Sequence, residues 1–163
     1  MSRDDDRSEV YAAELSAVGG TTLEQQVSLS ELQNAAAAIV ASPWWPTGPV
    51  AIRSARSDAR SSRAHDDGDQ VEIRCAVGQH DMATLIHELA HALAGTAAGH
   101  GPMFRAAHLD LMTLLAQPAD VEWLRRAYAA HGLAVGERQW DQPPWATRQP
   151  SLNGRDAQGR FAL

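Results

Sequence analysis

The segment DMATLIHELAHALAGTAAGHGPMF occupies residues 81–104 and contains the pattern His-Glu-x-x-His. Residues four apart lie one above the other on an α-helix, so His87 and His91 can direct two imidazole nitrogens at one point. On a helical projection the two histidines fall opposite an apolar face. That face is formed by Met82, Leu85, Ile86, Leu89 and Leu93. The spacing therefore predicts an amphipathic helix that carries two metal ligands on its polar side.

Glu88 lies one residue round the helix from the histidine pair. A carboxylate in this position is suited to act as general base for a water molecule bound to a metal ion. The alternative is that His87 and His91 are ordinary core histidines, but they do not belong to the apolar face. The pattern therefore favours a catalytic metal site over a packing role.

A third ligand is expected from the segment that follows this helix. A catalytic zinc ion usually takes three protein ligands and keeps a fourth position for water. Gly95 can end the helix and turn the chain back, and Pro102 suits the first turn of a new helix. We expect His100, which lies between them, to be the third ligand. The alternatives are His108 and Asp110 on the next helix.

These motifs resemble a known group of enzymes. HELAHAL at residues 87–93 and GHGPMF at residues 99–104 are similar to the SprT-like branch of the zincin metallopeptidases. The wider layout, with YAAE near the N-terminus and a Pro-Trp pair ahead of the strands, resembles a family of small actinobacterial metallohydrolases. The resemblance covers most of residues 7–133 and is specific over residues 84–104. It implies that His87, His91 and His100 bind the metal and that Glu88 is the catalytic acid/base.

Composition limits the classes of protein to consider. A chain of 163 residues has room for one domain with a core. Its single cysteine, Cys75, excludes an intramolecular disulfide and a cysteine-based zinc ribbon, and we interpret it as a small strand residue. No apolar run is long enough to cross a bilayer, and the N-terminus lacks an apolar signal region. We therefore expect a cytoplasmic protein without a membrane partner.

The charge pattern argues against nucleic acid as a direct partner. The formal net charge is −6, and the arginines are scattered along the chain. A nucleic-acid-binding protein would normally show a basic patch or stripe. We therefore expect a peptide or protein substrate and no direct nucleic-acid binding.

Apolar periodicity and helix start signals predict four further helices, at about residues 6–18, 28–41, 102–116 and 118–132. Ser28 and Glu31 form a capping-box pattern at the start of the second. Tyr11 and Glu14 in the first are interpreted as packing and surface residues. Other first-helix positions are predicted to be buried, namely Val10, Ala13, Leu15 and Val18. Last-helix positions predicted to pack on the core are Trp123, Leu124, Ala127 and Tyr128.

Two strands are predicted at residues 50–56 and 70–77, and a less regular one at 21–27. Strands directly ahead of the motif helix indicate a sheet packed against it, with the last strand flanking the cleft. Such a strand could hold an extended peptide by main-chain hydrogen bonds. Between the two strands a polar connection is expected to form a solvated hairpin loop rather than a cation site. Its candidate ligands are His65, Asp66, Asp67 and Asp69.

Several other side chains have alternative interpretations. His108 could support the metal site or the transition state, although a surface histidine is favoured. Trp44 and Trp45 are expected to plug the core from a loop, with substrate lining as the alternative. Residues 136–163 lack periodicity and are expected to form a mobile or draped tail, which Trp140 and Trp145 could anchor.

The sequence thus predicts an α+β, zincin-like single domain over residues 1–135, mainly helical, with a small antiparallel or mixed sheet flanking the active-site helix. The expected function is that of a zinc-dependent hydrolase, foremost a metallopeptidase, with Glu88 as general base. One alternative is a zinc hydrolase of a non-peptide amide, because the motif specifies water activation and not the substrate. A non-catalytic metal-binding protein is the other.

Overall fold

The computed structural model describes residues 4–144 and shows an α+β fold with five helices and a three-stranded sheet. None of the described helices has the length and apolar character needed to cross a membrane. In chain order the elements are α1 (Arg7–Val18), α2 (Leu29–Val40), β1 (Val50–Ser54), β2 (Arg63–Asp66), β3 (Val71–Cys75), α3 (Met82–Ala94), α4 (Pro102–Leu115) and α5 (Pro118–Ala130).

Helix α3 carries the His-Glu-x-x-His pattern and lies at the centre of the molecule. Asp81 caps its start, since the side chain accepts a hydrogen bond from the Thr84 backbone N–H. The apolar face packs into the core as predicted. The opposite face is not exposed, because α1 and α4 cover it, and both His87 and Glu88 are buried. The polar side of the helix is therefore largely buried, apart from the cleft that Glu88 lines.

The sheet is mixed and has the strand order β1-β3-β2. β1 pairs in parallel with β3, and β2 pairs antiparallel with β3, with Ala64 opposite Ile73. The predicted last strand is therefore central and not an edge. The edge beside α3 is β2, in the segment that was expected to be only a polar connection. Its residues gave no alternating apolar signal because its side chains are mostly exposed.

The hairpin between β2 and β3 is tied by hydrogen bonds within the chain. Asp67 accepts from the backbone N–H groups of Asp69 and Gln70, and Asp66 accepts from that of Gly68. Gly68 has a φ of 95°, which a glycine adopts without strain. These exposed carboxylates therefore serve the turn, in agreement with the predicted hairpin loop.

The short strand predicted at residues 21–27 is wrong. Thr22–Glu24 forms a 3₁₀ turn instead, with Leu23 buried beneath it. The Thr21 hydroxyl caps this turn by accepting a hydrogen bond from the Leu23 backbone N–H. The local cap provides a hydrogen-bond partner for a backbone N–H that a strand would have paired with a neighbouring strand. The loose alternation of side chains in this segment is a weak indication of a strand.

Two apolar side chains lie outside the core contrary to prediction. Leu15 is 69% exposed and Trp123 is 51% exposed. In α1 the buried stripe that faces α5 runs through Val10, Ala13 and Ala17, and Leu15 falls outside it. The capping box at Ser28 and the buried positions of Trp44 and Trp45 are as predicted.

The described part of the predicted tail lies against the body of the protein. Arg138 makes two hydrogen bonds to the Asp110 carboxylate, and the Trp140 indole N–H donates a third. The Trp44 indole N–H donates to the Asp141 carbonyl. Residues 136–144 are therefore draped and anchored, whereas Trp145 and the rest of the tail lie outside the described residues.

Truncation after Gly136 is expected to leave a chain that folds but has a lower free energy of unfolding. The buried Asp110 carboxylate would lose its partners, and a hydrogen bond to a charged group contributes about 1.5–3 kcal/mol. Denaturant unfolding of this chain and of one ending at Pro144 measures the difference. Equal stabilities would show that the draped segment contributes nothing.

Candidate metal centre

The structure brings the three predicted histidines together. His87 and His91 lie one turn apart on α3, and His100 reaches them from the loop that follows. Each offers one ring nitrogen, and these three atoms all lie within 4.8 Å of one another. The return of the chain depends on Gly95 and Gly99, whose φ angles of 88° and 56° lie in the region that favours glycine.

The two alternative third ligands lie elsewhere. Asp110 points to the draped segment, where it accepts hydrogen bonds from Arg138 and Trp140. His108 is close to the site but hydrogen-bonds to the Tyr128 hydroxyl. Among the described residues, the cluster of His, Cys, Asp and Glu side chains able to hold an ion consists of His87, His91 and His100.

Two carboxylates orient His87 and His100 by contacting Nδ1 of each ring. Glu14 on α1 lies 2.6 Å from Nδ1 of His87, and Asp4 lies 2.6 Å from Nδ1 of His100. Asp4 also accepts from the His100 backbone N–H. A carboxylate fixes an imidazole with its proton on Nδ1, so that Nε2 presents a lone pair to the metal. This carboxylate–histidine arrangement is typical of metal sites.

The distance between the two Nε2 atoms also fits a metal ion. Nε2 of His87 and Nε2 of His100 lie 3.2 Å apart. Zinc–nitrogen bonds of about 2.0–2.1 Å in a tetrahedral site place neighbouring nitrogens about 3.4 Å apart. Two lone pairs facing each other at this separation repel, and a cation bound by both removes the repulsion. The donor set therefore fits a metal ion of the kind that imidazoles bind.

The pKa values agree with neutral imidazoles at two of the three positions. Burial, reinforced by the neighbouring His87 and His100, lowers the pKa of His91 to about 3. Burial also lowers the pKa of His100, despite the opposing effect of Asp4. For His87, burial acts to lower the pKa, but the Glu14 carboxylate outweighs it and the pKa is raised.

Aromatic rings surround the histidines. Phe104 on α4 lies 4.4 Å from the ring of His91 and 4.9 Å from that of His100, measured between centroids. Tyr11 stacks on His87 at 5.3 Å, with 9° between the ring planes. Tyr11 and Glu14 therefore belong to the site, which corrects their interpretation as packing and surface residues. The helical spacing of Tyr11 and Glu14 places them on one face, but nothing local indicates what that face meets.

Glu88 lines a cleft next to the histidines. The cleft has a volume of about 540 Å³, and its lining includes His87, Glu88, His108 and Tyr11. Burial raises the pKa of the Glu88 carboxyl above its usual value. The backbone of Ala64, on edge strand β2, faces this carboxylate and acts to lower its pKa, but burial outweighs it. Glu88 therefore lies beside the three histidines without being a member of their donor set.

Comparisons with models of protein families, with curated proteins and with solved structures found no match. The function is therefore inferred from the chemistry of this site.

Glu14→Gln is expected to weaken metal binding by about 10- to 100-fold, the usual cost of losing a carboxylate behind a ligating histidine. An amide is nearly the same size, but it removes the charge that faces Nδ1 of His87. Competition with a chromophoric chelator measures the zinc affinity. Glu122→Gln, a change at an exposed carboxylate on α5 outside the cleft, is the control. An unchanged affinity in Glu14→Gln would contradict the orienting role.

Proposed function

We propose that this protein is a zinc-dependent hydrolase of the zincin type, and foremost a metallopeptidase related to the SprT-like branch. The observation that carries the proposal is the pairing of a three-histidine donor set with a buried carboxylate, Glu88, on the wall of an open cleft. A structural zinc site closes its fourth position with a protein ligand and has no need of a neighbouring carboxylate.

Zinc is favoured by the ligand chemistry. Three neutral imidazoles with an open position are the donor set of several catalytic zinc sites. The supporting carboxylates Glu14 and Asp4 increase the basicity of His87 and His100. When bound, zinc supplies a Lewis acid that polarises a carbonyl group and lowers the pKa of water in its open position towards about 7.

The Glu88 side chain is the group that transfers the proton. In the proposed reaction Glu88 accepts a proton from the attacking water as the new carbon–oxygen bond forms. It then returns the proton to the leaving nitrogen as the carbon–nitrogen bond breaks. Its raised pKa suits both tasks, because a general acid/base works best when its pKa lies near the working pH.

The edge of the sheet supports a peptide over other amides as the substrate. β2 is an edge strand that lies next to α3, and Ser61 and Ser62 immediately before it line the cleft. An extended peptide can add to such an edge through main-chain hydrogen bonds. The cleft volume is also within the range of small-molecule sites, so a non-peptide amide is retained as the second candidate substrate.

A cleavage assay with the full-length chain tests the function. Zinc-loaded protein is incubated with a peptide library and, in parallel, with a panel of small amides. We expect peptide cleavage that a chelator abolishes and added zinc restores. Cleavage of small amides alone would support the second candidate. Absence of hydrolysis in a sample with stoichiometric zinc would favour a non-catalytic metal-binding protein.

A further inference from the structure

We propose that His108 is a second catalytic residue of the cleft, donating a hydrogen bond from Nε2 to the oxygen that gains charge during hydrolysis, and that Tyr128 is the positioning residue that fixes its tautomer. The role of His108 rests on the proposed hydrolase function. The tautomer of His108 rests on hydrogen bonding alone and can be measured separately.

His108 lies where such a donor is needed. It follows Phe104 by one turn of α4 and lines the same cleft as His87 and Glu88. Its ring centroid is 5.8 Å from that of His87, yet it is not a member of the three-histidine donor set. The side chain is buried, with 3% of the residue exposed. It therefore sits beside the proposed reaction centre without occupying a ligand position.

Tyr128 determines which nitrogen of His108 carries the proton. The Tyr128 hydroxyl on α5 lies 2.7 Å from Nδ1 of His108, and Tyr128 is fully buried. Among residues 4–144, Nδ1 of His108 is the hydrogen-bond partner of the Tyr128 hydroxyl. A buried hydroxyl needs an acceptor for its proton, and Nδ1 is the acceptor available. A neutral imidazole that accepts at Nδ1 carries its proton on Nε2.

The competing contact is with Glu14. Its Oε1 lies 3.2 Å from Nδ1 of His108, but the same oxygen is 2.6 Å from Nδ1 of His87. The shorter contact is an aligned hydrogen bond, whereas the longer one is only an ion-pair distance. Glu14 is therefore assigned to His87, and Tyr128 is assigned to His108.

Nε2 of His108 faces the cleft. No buried side-chain nitrogen or oxygen among the described residues lacks a hydrogen-bond partner, yet Nε2 makes no hydrogen bond to those residues. Because His108 lines the cleft and its Nδ1 is taken by Tyr128, Nε2 is assigned to the cleft side of the ring. An N–H aimed into the cleft stabilises a developing oxyanion, because it is already oriented before the reaction.

The step needs no proton from His108. The attacking water forms the new carbon–oxygen bond, and its proton goes to Glu88. The former carbonyl oxygen gains negative charge and accepts the Nε2–H hydrogen bond. On collapse the carbon–nitrogen bond breaks, Glu88 protonates the leaving nitrogen, and His108 retains its own proton.

The first test is the tautomer of His108 in the zinc-loaded, full-length protein. Histidine ring nitrogens are labelled with ¹⁵N, and the His108 signals are assigned from their loss in His108→Gln. We expect a neutral ring with the proton on Nε2 and an unprotonated Nδ1. In Tyr128→Phe this preference should be lost. A proton on Nδ1 in the wild type would overturn the proposal, because Nε2 would then be an acceptor.

The second test is kinetic. His108→Ala is expected to keep zinc and to lower kcat by about 100-fold or more, as removal of one oxyanion donor does, with little change in KM. His108→Gln should recover part of the rate, since its amide can donate to the same oxygen. His131→Ala, which removes a half-buried histidine that is paired with Glu9 outside the cleft, is the control. Wild-type kcat in zinc-loaded His108→Ala would contradict the catalytic role.

The experiments distinguish failure of the proposed hydrolase function from failure of the proposed role of His108. If the zinc-loaded wild type hydrolyses no peptide or amide, the proposed function fails and the catalytic role of His108 fails with it. If the wild type is active and His108→Ala is equally active, only the role of His108 fails. The ¹⁵N measurement decides the tautomer in either case.

Discussion

Glu88→Gln is expected to retain stoichiometric zinc and to lower kcat by at least about 100-fold, the lower end of what general acid/base catalysis contributes. The amide has nearly the same shape as the carboxylate, so the substitution should leave the local packing of α3 unchanged. It cannot accept the proton of the attacking water. The substitution should therefore lower kcat while substrate binding, and with it KM, changes little.

The measurement combines metal analysis with steady-state kinetics on any substrate that the library assay provides. Glu122→Gln, at an exposed position on α5 where the carboxylate pairs with Arg126, is the matched control. Wild-type turnover in zinc-loaded Glu88→Gln would show that Glu88 is not the base. Loss of zinc from this variant would instead show that Glu88 is a ligand.

Replacement of any one of the three histidines by alanine is expected to abolish stoichiometric zinc binding. His87, His91 and His100 each supply one of three ligand atoms, so each variant leaves only two. We expect the affinity to fall by more than about 100-fold, which exceeds the usual effect of losing a supporting carboxylate. Asp110→Ala should keep its zinc, because Asp110 faces Arg138 and Trp140.

The thermal stability of these variants should depend on whether they bind zinc. A ligand that binds only the folded state stabilises it by about 4 kcal/mol at a concentration 1,000 times its Kd. The three histidine variants should therefore have melting temperatures that no longer respond to added zinc, whereas Asp110→Ala should still respond. Retention of zinc by His100→Ala, together with loss by His108→Ala, would move the third ligand to α4.

Local sequence signals predicted the parts of the site that lie close together in the chain. The four-residue spacing placed His87 and His91 on one side of a helix. The glycine after that helix predicted the turn that returns His100 to the pair. The capping box at Ser28 and the proline at the start of α4 predicted helix starts. Each of these features depends on interactions within a few residues of chain.

The missed features all depend on tertiary pairing. Glu14 and Asp4 lie far from their histidines in the chain, and a single carboxylate in a helix or an acidic terminus resembles any solvated residue. His108 was expected on the surface, but α5 covers it and supplies the Tyr128 hydroxyl. Strand β2 has no alternating apolar pattern because it is an exposed edge, so it became visible only through its pairing with β3.

The most direct test of the metal centre is anomalous diffraction from crystals of the purified, full-length protein, recorded on both sides of the zinc absorption edge. We expect one zinc ion per chain, bound by ring nitrogens of His87, His91 and His100 at about 2.0–2.1 Å, with an oxygen ligand beside Glu88. No zinc at these histidines in crystals grown with excess zinc would contradict it, as would a fourth protein side chain closing the site.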